Sequence, residues 1–579
     1  MSVVYGHAYR RRSYPALEGG STTIKRPPII VSVLLVILAL SMLFASGCDG
    51  IKLGGIKLFA ADQKSSPKKP QRGGRLTIGC PQEPTSLNPF LTGGSTVATK
   101  LVTSNILWGL LVVTPDLNYA PRIAEKVPTL ENGLVTNNPF TVTYDIKKDA
   151  VWSDGTPITS EDVKFTWETI MNPAYQIADR SGYDKIERIE TPYDKTLRIV
   201  FREPYAAYKQ LFSITYPILP KHILERQGFN EAVNDLLPFA SGPYKFKEWV
   251  RGDHLTIVRN DGFWGDDAYI DKVTFKFIPK EDVQVTAFSE GKIDVLYPSG
   301  TKAVTDRIKS IAGTAGFADP GMLWEHLAFN TSKPPLNDRN VRKAIAYALD
   351  RKKIAEAATG ETGVLQSIIM PDQQPFYTPA WEKYKFNPEK AAQYLSRAGY
   401  KKGPDGVFQN NGKPLVVKIS TASGNSTRVE VEKIIQEDLS RIGVKVQINN
   451  ADSETFFNSR LAKGDFELGI WAWLADTEPN LGYSFSADAT PPAGENYYRY
   501  SNPEVTAALK IIPSVVDDTK RAGLYRNVQE KISDDCVVIP LYRHIQVLAF
   551  NKKVNGTKDN ISFEGPFWNL SKWWISKEQ

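Results

Sequence analysis

Strands and helices alternate along the second half of the chain, and this alternation restricts the possible folds more than any other feature. The β-branched run LVVKIST at 415–421 predicts a strand, and VKVQI at 444–448 predicts the next strand after an intervening helix. FELGIWAW at 466–473 predicts a third strand, again after a helical stretch. This order of elements predicts a layered α/β fold. No repeat relates the two halves of the chain, so we expect two unlike lobes.

Capping residues indicate where two of the helices begin and end. Asn387 precedes the helical segment PEKAAQYLSRA and Gly399 follows it, which predicts an asparagine N-cap and a glycine just beyond the last turn. Thr427, with Glu430 three residues later, has the capping-box pattern. It predicts that the helix between the strands at 415–421 and 444–448 begins at Thr427.

The first residues of the chain are typical of an export signal. Residues 29–46 are apolar and uncharged, basic residues precede them, and small residues lead to Cys48. The segment Ala45-Ser46-Gly47-Cys48 resembles a bacterial lipobox, with Ala45 where leucine is usual. We therefore expect residues 1–47 to be a cleaved signal peptide and Cys48 to carry lipid. The alternative is an uncleaved membrane helix, since about 17–25 apolar residues can span a bilayer.

Residues 48–74 are rich in Gly, Lys, Ser, Pro and Gln, a composition typical of a flexible linker after the lipidated cysteine. Both interpretations of the apolar segment place the rest of the chain in the cell envelope outside the cytoplasm. That location is the periplasm or the outer face of the cytoplasmic membrane.

Charge and residue inventory argue against several classes of protein. The net charge is +7, of which five basic residues and one acidic residue before Cys48 contribute +4, leaving only +3. This balance argues against a nucleic-acid partner. The three cysteines and five histidines show no metal-binding spacing, and no catalytic motif stands out, so we expect no metal, no cofactor and no enzyme activity. For Cys80 and Cys536 we favour two buried free thiols, although an oxidising compartment would permit a disulfide.

The segment WAWLADTEP at 471–479 is the strongest candidate for a binding site. Trp471 and Trp473 are two residues apart on a predicted strand, so their rings face the same side. We expect the strand to end near Leu474, which puts Asp476 in the loop beyond its carboxyl end, where open α/β sheets bind ligands. A carboxylate beside aromatic walls suits a cationic group on an otherwise apolar ligand. Core tryptophans and a loop-capping aspartate are the alternative.

Several separated segments resemble one protein family. They resemble the large peptide-type extracytoplasmic solute-binding proteins of ABC importers, the oligopeptide- and dipeptide-binding group. The resemblance covers essentially all of 75–579, and the matching segments follow the family order: PQEPTSLNPF (81–90), YDIKKDAVWSDGTPITSEDVKFTWE (144–168), SGPYKFKEW (241–249), FNTSKPPLNDRNVRKAIAYALDRKKI (329–354), NPEKAAQYLSRAGY (387–400) and IPLY (539–542).

The resemblance implies a two-lobed periplasmic-binding-protein fold with a hinge. Residues 75–321 are then expected to form lobe I, with an inserted subdomain at about 116–235. Residues 322–538 are expected to form lobe II, and 539–579 return to lobe I. Ligand would be enclosed when the lobes close about the hinge.

The resemblance also implies a function and site residues. A monomeric receptor, attached to the membrane by its lipid, would capture short peptides and deliver them to a permease pair driven by ATPase subunits. WLADTEP resembles the family's site segment, in which an aspartate pairs with the ligand's α-ammonium group. The resemblance places Asp476 at that aspartate and Trp473 at an aromatic residue that forms a wall of the pocket. Tyr542 and Trp324, near the expected hinges, are further candidates, with core packing as the alternative. Two other possibilities stay open: a non-peptide ligand (oligosaccharide, nickel complex, haem or opine), and an envelope sensor without a transporter.

Overall fold

The computed structural model of this chain describes residues 58–59, 69–91, 94–213, 215–227, 229, 233, 235–298 and 300–576. All of these residues belong to one compact unit, Gly54–Gln579. The predicted signal peptide and Cys48 lie outside them. No helix within these ranges is long and apolar enough to cross a membrane.

The strands and helices are spread along the whole of the described chain. In chain order the strands are β1 (Leu58–Phe59), β2 (Arg75–Cys80), β3 (Leu111–Val113), β4 (Tyr119–Pro121), β5 (Val135–Asn137), β6 (Phe140–Asp145), β7 (Ile186–Tyr193), β8 (Thr196–Phe201), β9 (Tyr244–Val250), β10 (His254–Arg259), β11 (Lys272–Phe277), β12 (Val295–Leu296), β13 (Thr314–Phe329), β14 (Lys401–Lys402), β15 (Phe408–Asn410), β16 (Lys413–Pro414), β17 (Val416–Ser420), β18 (Lys445–Ile448), β19 (Leu468–Leu474), β20 (Val538–Asn551), β21 (Val554–Asn555) and β22 (Trp574–Ile575). The α-helices are α1 (Val97–Thr103), α2 (Ser160–Met171), α3 (Lys221–Gln227), α4 (Glu281–Ser289), α5 (Lys302–Lys309), α6 (Arg339–Ala348), α7 (Arg351–Thr359), α8 (Pro388–Arg397), α9 (Ser426–Arg441), α10 (Gly482–Phe485), α11 (Pro503–Ile511) and α12 (Asp518–Asp535).

One sheet of eleven strands forms the framework of the described chain. Its order is β18-β17-β19-β13-β20-β12-β2-β11-β10-β9, and β1 pairs with β13. Strands β18, β17 and β19 run parallel to one another, whereas β13 and β20 form an antiparallel pair between them and the strands from the first half of the chain. A separate antiparallel sheet has the order β5-β6-β8-β7.

The long strands β13 and β20 connect two hydrophobic cores. Their pairing runs from Thr314 opposite Asn551 to Ala328 opposite Val538, and its register shifts between Pro320 and Trp324. Phe317 packs in a core formed mainly by residues 76–277, whereas Met322 packs in a core formed by residues 322–542. The two strands therefore carry the backbone from one core to the other. The lobe boundaries given above stay predictions.

Helix boundaries agree with the sequence at α8 and differ at α9. Asn387 caps α8 by accepting a hydrogen bond from the Lys390 N–H, and Gly399 adopts a left-handed conformation just after the helix, as predicted. Helix α9 begins at Ser426, because the side chain of Asn425 accepts from the Arg428 N–H. The prediction that Thr427 caps this helix was therefore wrong by two residues. Asparagine is at least as good an N-cap as threonine, and it comes first along the chain.

The two described cysteines are free and buried, as predicted. Burial raises the pKa of the Cys80 thiol to about 12 and that of Cys536 to about 11. Among the described residues, no group of three or more His, Cys, Asp or Glu side chains is arranged to hold a metal ion.

Candidate functional site

The loop after β19 begins where the sequence predicts. The strand ends at Leu474, and Asp476 follows two residues later. Two hydrogen bonds hold the loop backbone: the Ala475 N–H donates to the Met322 carbonyl at 2.9 Å, and Gln373 Nε2 donates to the Asp476 carbonyl at 2.7 Å. These contacts fix the direction in which the aspartate leaves the sheet.

Asp476 lines a cavity of about 190 Å³ that we name the aspartate pocket. Aromatic side chains form much of its wall, and Glu495 supplies a second carboxylate. The aromatic residues are Trp324, Trp473, Tyr483 and Phe485. The pocket therefore combines negative charge with apolar walls, which is the arrangement that the sequence pattern suggests for a cationic ligand group.

Asp476 is an exposed residue, so its carboxyl group stays open to solvent on one side. The surrounding protein still desolvates this group in part, which raises its pKa, while the Thr477 N–H and the positive charge of Lys100 oppose this and the negative charge of Asp179 adds to it. No Lys, Arg or His of the described chain lies within ion-pair distance of Asp476. By contrast Glu478, two residues later, pairs with Arg521 at 3.1 Å. Asp476 is thus the carboxylate of this loop that is available to a ligand.

The two tryptophans of β19 face the same side, as predicted, but differ in exposure. Trp473 is half-buried, lines the aspartate pocket and donates from Nε1 to the Tyr498 hydroxyl at 2.8 Å. Its ring stacks on Tyr497, with the planes 4° from parallel. Trp471 is only 1% exposed and packs against His326 and Tyr498. It does not line the aspartate pocket. Its contacts are those of a core residue that supports Trp473.

A second cavity of about 400 Å³, which we name the cleft cavity, lies beside the aspartate pocket and shares Leu474 with it. Its lining includes Leu101 of the first core and Met322 of the second, together with Val97 and Lys100 on α1 and Leu323 on β13. The Lys100 amine lies 5.3 Å from the centre of the Phe563 ring. Burial lowers the pKa of Lys100, and the negative charge of Asp476 partly offsets this.

A third cavity of about 310 Å³, the hinge pocket, adjoins the cleft cavity through Gly300, His544 and Ile545. The buried carboxylate of Glu325 accepts hydrogen bonds there from Arg428 Nε at 2.8 Å and is 2.8 Å from His544 Nε2.

Two hinge-strand candidates from the sequence are largely buried. Tyr542 lines the hinge pocket, is 2% exposed, and its hydroxyl has no hydrogen-bond partner in the described structure. Trp324 is 3% exposed and belongs to the core of residues 322–542, and it also lines the aspartate pocket. Sequence reasoning missed Lys100, Glu325, Arg428 and His544. Only Glu325 carried a signal, as one of two acidic residues within a largely apolar strand.

Comparisons with known proteins agree with this architecture. Residues 118–493 match the model of the bacterial extracellular solute-binding proteins, family 5 Middle. The oligopeptide-binding protein AppA of Bacillus subtilis is 28% identical over 578 residues, which cover 96% of this chain and all of that protein. A solved structure of AppA in complex with a nonapeptide covers 88% of this chain and all of its own, with 26% identity and a TM-score of 0.68.

The structure of a periplasmic EDTA-binding protein, EppA, covers 88% of this chain and 98% of its own with a TM-score of 0.77. At 24% identity this likeness shows the fold alone. Together the two solved structures confirm the predicted fold class, an α/β binding-protein fold with two lobes.

Proposed function

This chain belongs to family 5 of the bacterial extracellular solute-binding proteins, and we propose that it captures short peptides by their free amino terminus for an ABC importer. The observation that carries the proposal is the unpaired carboxylate of Asp476 between aromatic walls. The names of the AppA relative and of its nonapeptide complex support a peptide as the ligand.

An α-ammonium group fits the aspartate pocket for electrostatic reasons. The protein around Asp476 desolvates its carboxylate in part, which raises its pKa, and a bound cation would offset that cost. Charge-assisted hydrogen bonds are about twice as strong as neutral ones, and aromatic faces attract cations. Trp473 and Tyr483 supply such faces in the same pocket.

The remaining parts of the proposal concern delivery. Cys48 carries the lipid that holds the receptor at the membrane, after removal of 1–47. The residues between Cys48 and β1, which pairs with β13 of the main sheet, let the receptor reach a permease pair with its ATPase subunits. The protein acts as a monomer and does not alter its ligand chemically. Mass spectrometry of the exported protein tests the first part, since diacylglycerol on Cys48 gives a defined mass increase on the amino-terminal peptide.

Isothermal titration calorimetry of the purified protein with Ala-Phe-Ala and its N-acetyl form tests whether Asp476 binds the amino terminus. Losing one partner of a buried charge pair costs about 3–5 kcal/mol, so acetylation or Asp476→Asn should weaken binding by more than about a hundredfold. Asp488→Asn is the matched control, because Asp488 is an exposed aspartate paired with Lys510 outside the three cavities. Equal affinity of the parent and Asp476→Asn for the free peptide contradicts the assignment. Stabilisation by a sugar or a nickel chelate, with indifference to peptides, overturns the peptide proposal.

A further inference from the structure

We infer that the cleft cavity is a subsite for a bulky apolar side chain near the amino end of the ligand. The substrate class is then peptides with a free amino terminus and an aromatic or branched aliphatic residue at position two or three. This inference rests on the proposed function, because it takes Asp476 as the site of the ligand's ammonium group. It adds a selectivity for side chains that the aspartate does not provide.

The wall of the cleft cavity is mostly hydrocarbon, and its side chains come from α1, β13 and the end of β19. Val97 on α1 is 55% exposed, Leu323 on β13 is 37% exposed and Leu474 at the end of β19 is 48% exposed. Met322 and Phe563 add to the same wall. Exposed apolar side chains gathered around one concave space gain free energy when an apolar ligand group covers them.

The position of the cavity fixes which part of a ligand can reach it. Leu474 lines both the cleft cavity and the aspartate pocket; it is the last residue of β19, and Asp476 follows two residues later in the loop. Two residues of chain span at most about 7 Å. An extended ligand advances about 3.3–3.6 Å per residue, so its second or third residue lies over the cleft cavity when its ammonium group meets Asp476.

Lys100 makes the cavity unfavourable for a basic side chain. Lys100 lines the cavity, and its amine lies 5.3 Å from the centre of the Phe563 ring. The negative charge of Asp476 favours the protonated form of this amine. A lysine or arginine side chain of the ligand would meet the positive charge of Lys100 in a poorly solvated space. An acidic side chain is the competing occupant, since it could pair with Lys100, and the test therefore includes one.

The test measures affinities of the tetrapeptides Ala-X-Ala-Ala and Ala-Ala-X-Ala, with X as Phe, Leu, Ser, Lys or Asp, by calorimetry. Burying an apolar side chain of this size supports about a tenfold or greater preference for Phe and Leu over Ser and Lys in one of the two series. Leu474→Ser should reduce that preference severalfold, and Leu323→Ser provides a second variant if the first fails to fold. Ile511→Ser is the matched control, because Ile511 is 53% exposed on α11 and lines none of the three cavities.

The outcomes separate this inference from the proposed function. If all ten peptides bind within about twofold of one another and still require a free amino terminus, the apolar subsite is wrong and the peptide proposal stands. Tightest binding of the Asp peptides means that Lys100 determines selectivity, which also overturns the inference. If no free-amine peptide binds to the parent protein, the proposed function itself fails.

Discussion

Replacing Glu325 by glutamine should destabilise the protein strongly, because this carboxylate holds three elements together. Glu325 lies on β13 and is fully buried. It accepts from Arg428 Nε at 2.8 Å and from Arg428 Nη2 at 3.3 Å, and it is 2.8 Å from His544 Nε2 on β20. Burial by itself raises the pKa of Glu325, but the contacts with His544 and Arg428 hold the pKa below its usual value. The charged form is therefore the one that stabilises the fold.

The loss of stability in Glu325→Gln follows from the donors of Arg428 and His544 that glutamine cannot satisfy. Its amide has one acceptor oxygen and a pair of N–H donors that would face the donors of Arg428, whose side chain is only 14% exposed. Removing one partner of a buried ion pair costs about 3–5 kcal/mol. The 33% exposure of the His544 side chain allows water to compensate part of this loss. We therefore expect the lower end, about 3 kcal/mol.

Thermal unfolding followed by circular dichroism measures this effect. At about 2.1 cal/mol/K of unfolding entropy per residue, a unit of roughly 500 residues shifts its Tm by about 1 °C per kcal/mol, so Glu325→Gln should lower the Tm by about 3 °C. Glu437→Gln is the matched control on α9, because its ion pair with Lys353 is exposed and such pairs contribute about 0–1 kcal/mol. Since the folded-state pKa is lowered, the difference between parent and variant should begin to shrink below the usual glutamate value of about 4.3 and be lost as the pH falls through the folded-state pKa. A loss of less than about 1 kcal/mol at neutral pH would refute the reasoning.

Three further predictions concern other buried positions. Burial raises the pKa of Glu432 to about 7, so the stability of the protein should fall as the pH rises from about 4.5 to 7. In denaturant titrations above pH 7, Glu432→Gln should be more stable than the parent protein by roughly 3 kcal/mol. A Cβ at Gly300 would lie 1.5 Å from the Ile545 carbonyl oxygen, so Gly300→Ala should lower the Tm by several degrees. Gly523→Ala is the control and should leave the Tm unchanged, because a Cβ at Gly523 would meet open space. The two thiols of the folded body should react with a disulfide reagent only after denaturation, and rapid reaction in the native state would contradict their burial.

Local patterns in the sequence predicted the fold and one wall of the site. The alternation of strands and helices, the end of β19 at Leu474 and the position of Asp476 after it all follow from short stretches of chain. The predicted N-cap of α9 was wrong because Asn425 and Thr427 can both cap a helix at this point, and the sequence does not say which of them the chain uses.

The remainder of the site depends on tertiary contacts. Glu325 and Arg428 are 103 positions apart, and Glu325 and His544 are 219 apart, so no local pattern joins them. Lys100 approaches the site only because α1 of one core faces β19 of the other. Trp471 and Trp473 have the same residue type and the same strand face. Packing around the end of the strand leaves only Trp473 in the pocket wall.

A crystal structure of the protein with a bound free-amine tripeptide would show where the ligand's amino terminus lies. We expect the amino nitrogen about 2.7–3.0 Å from a carboxylate oxygen of Asp476, with Trp473 beside it. An amino terminus located elsewhere in the cleft, or a copurified ligand without a cationic group in the aspartate pocket, would contradict the assignment of Asp476.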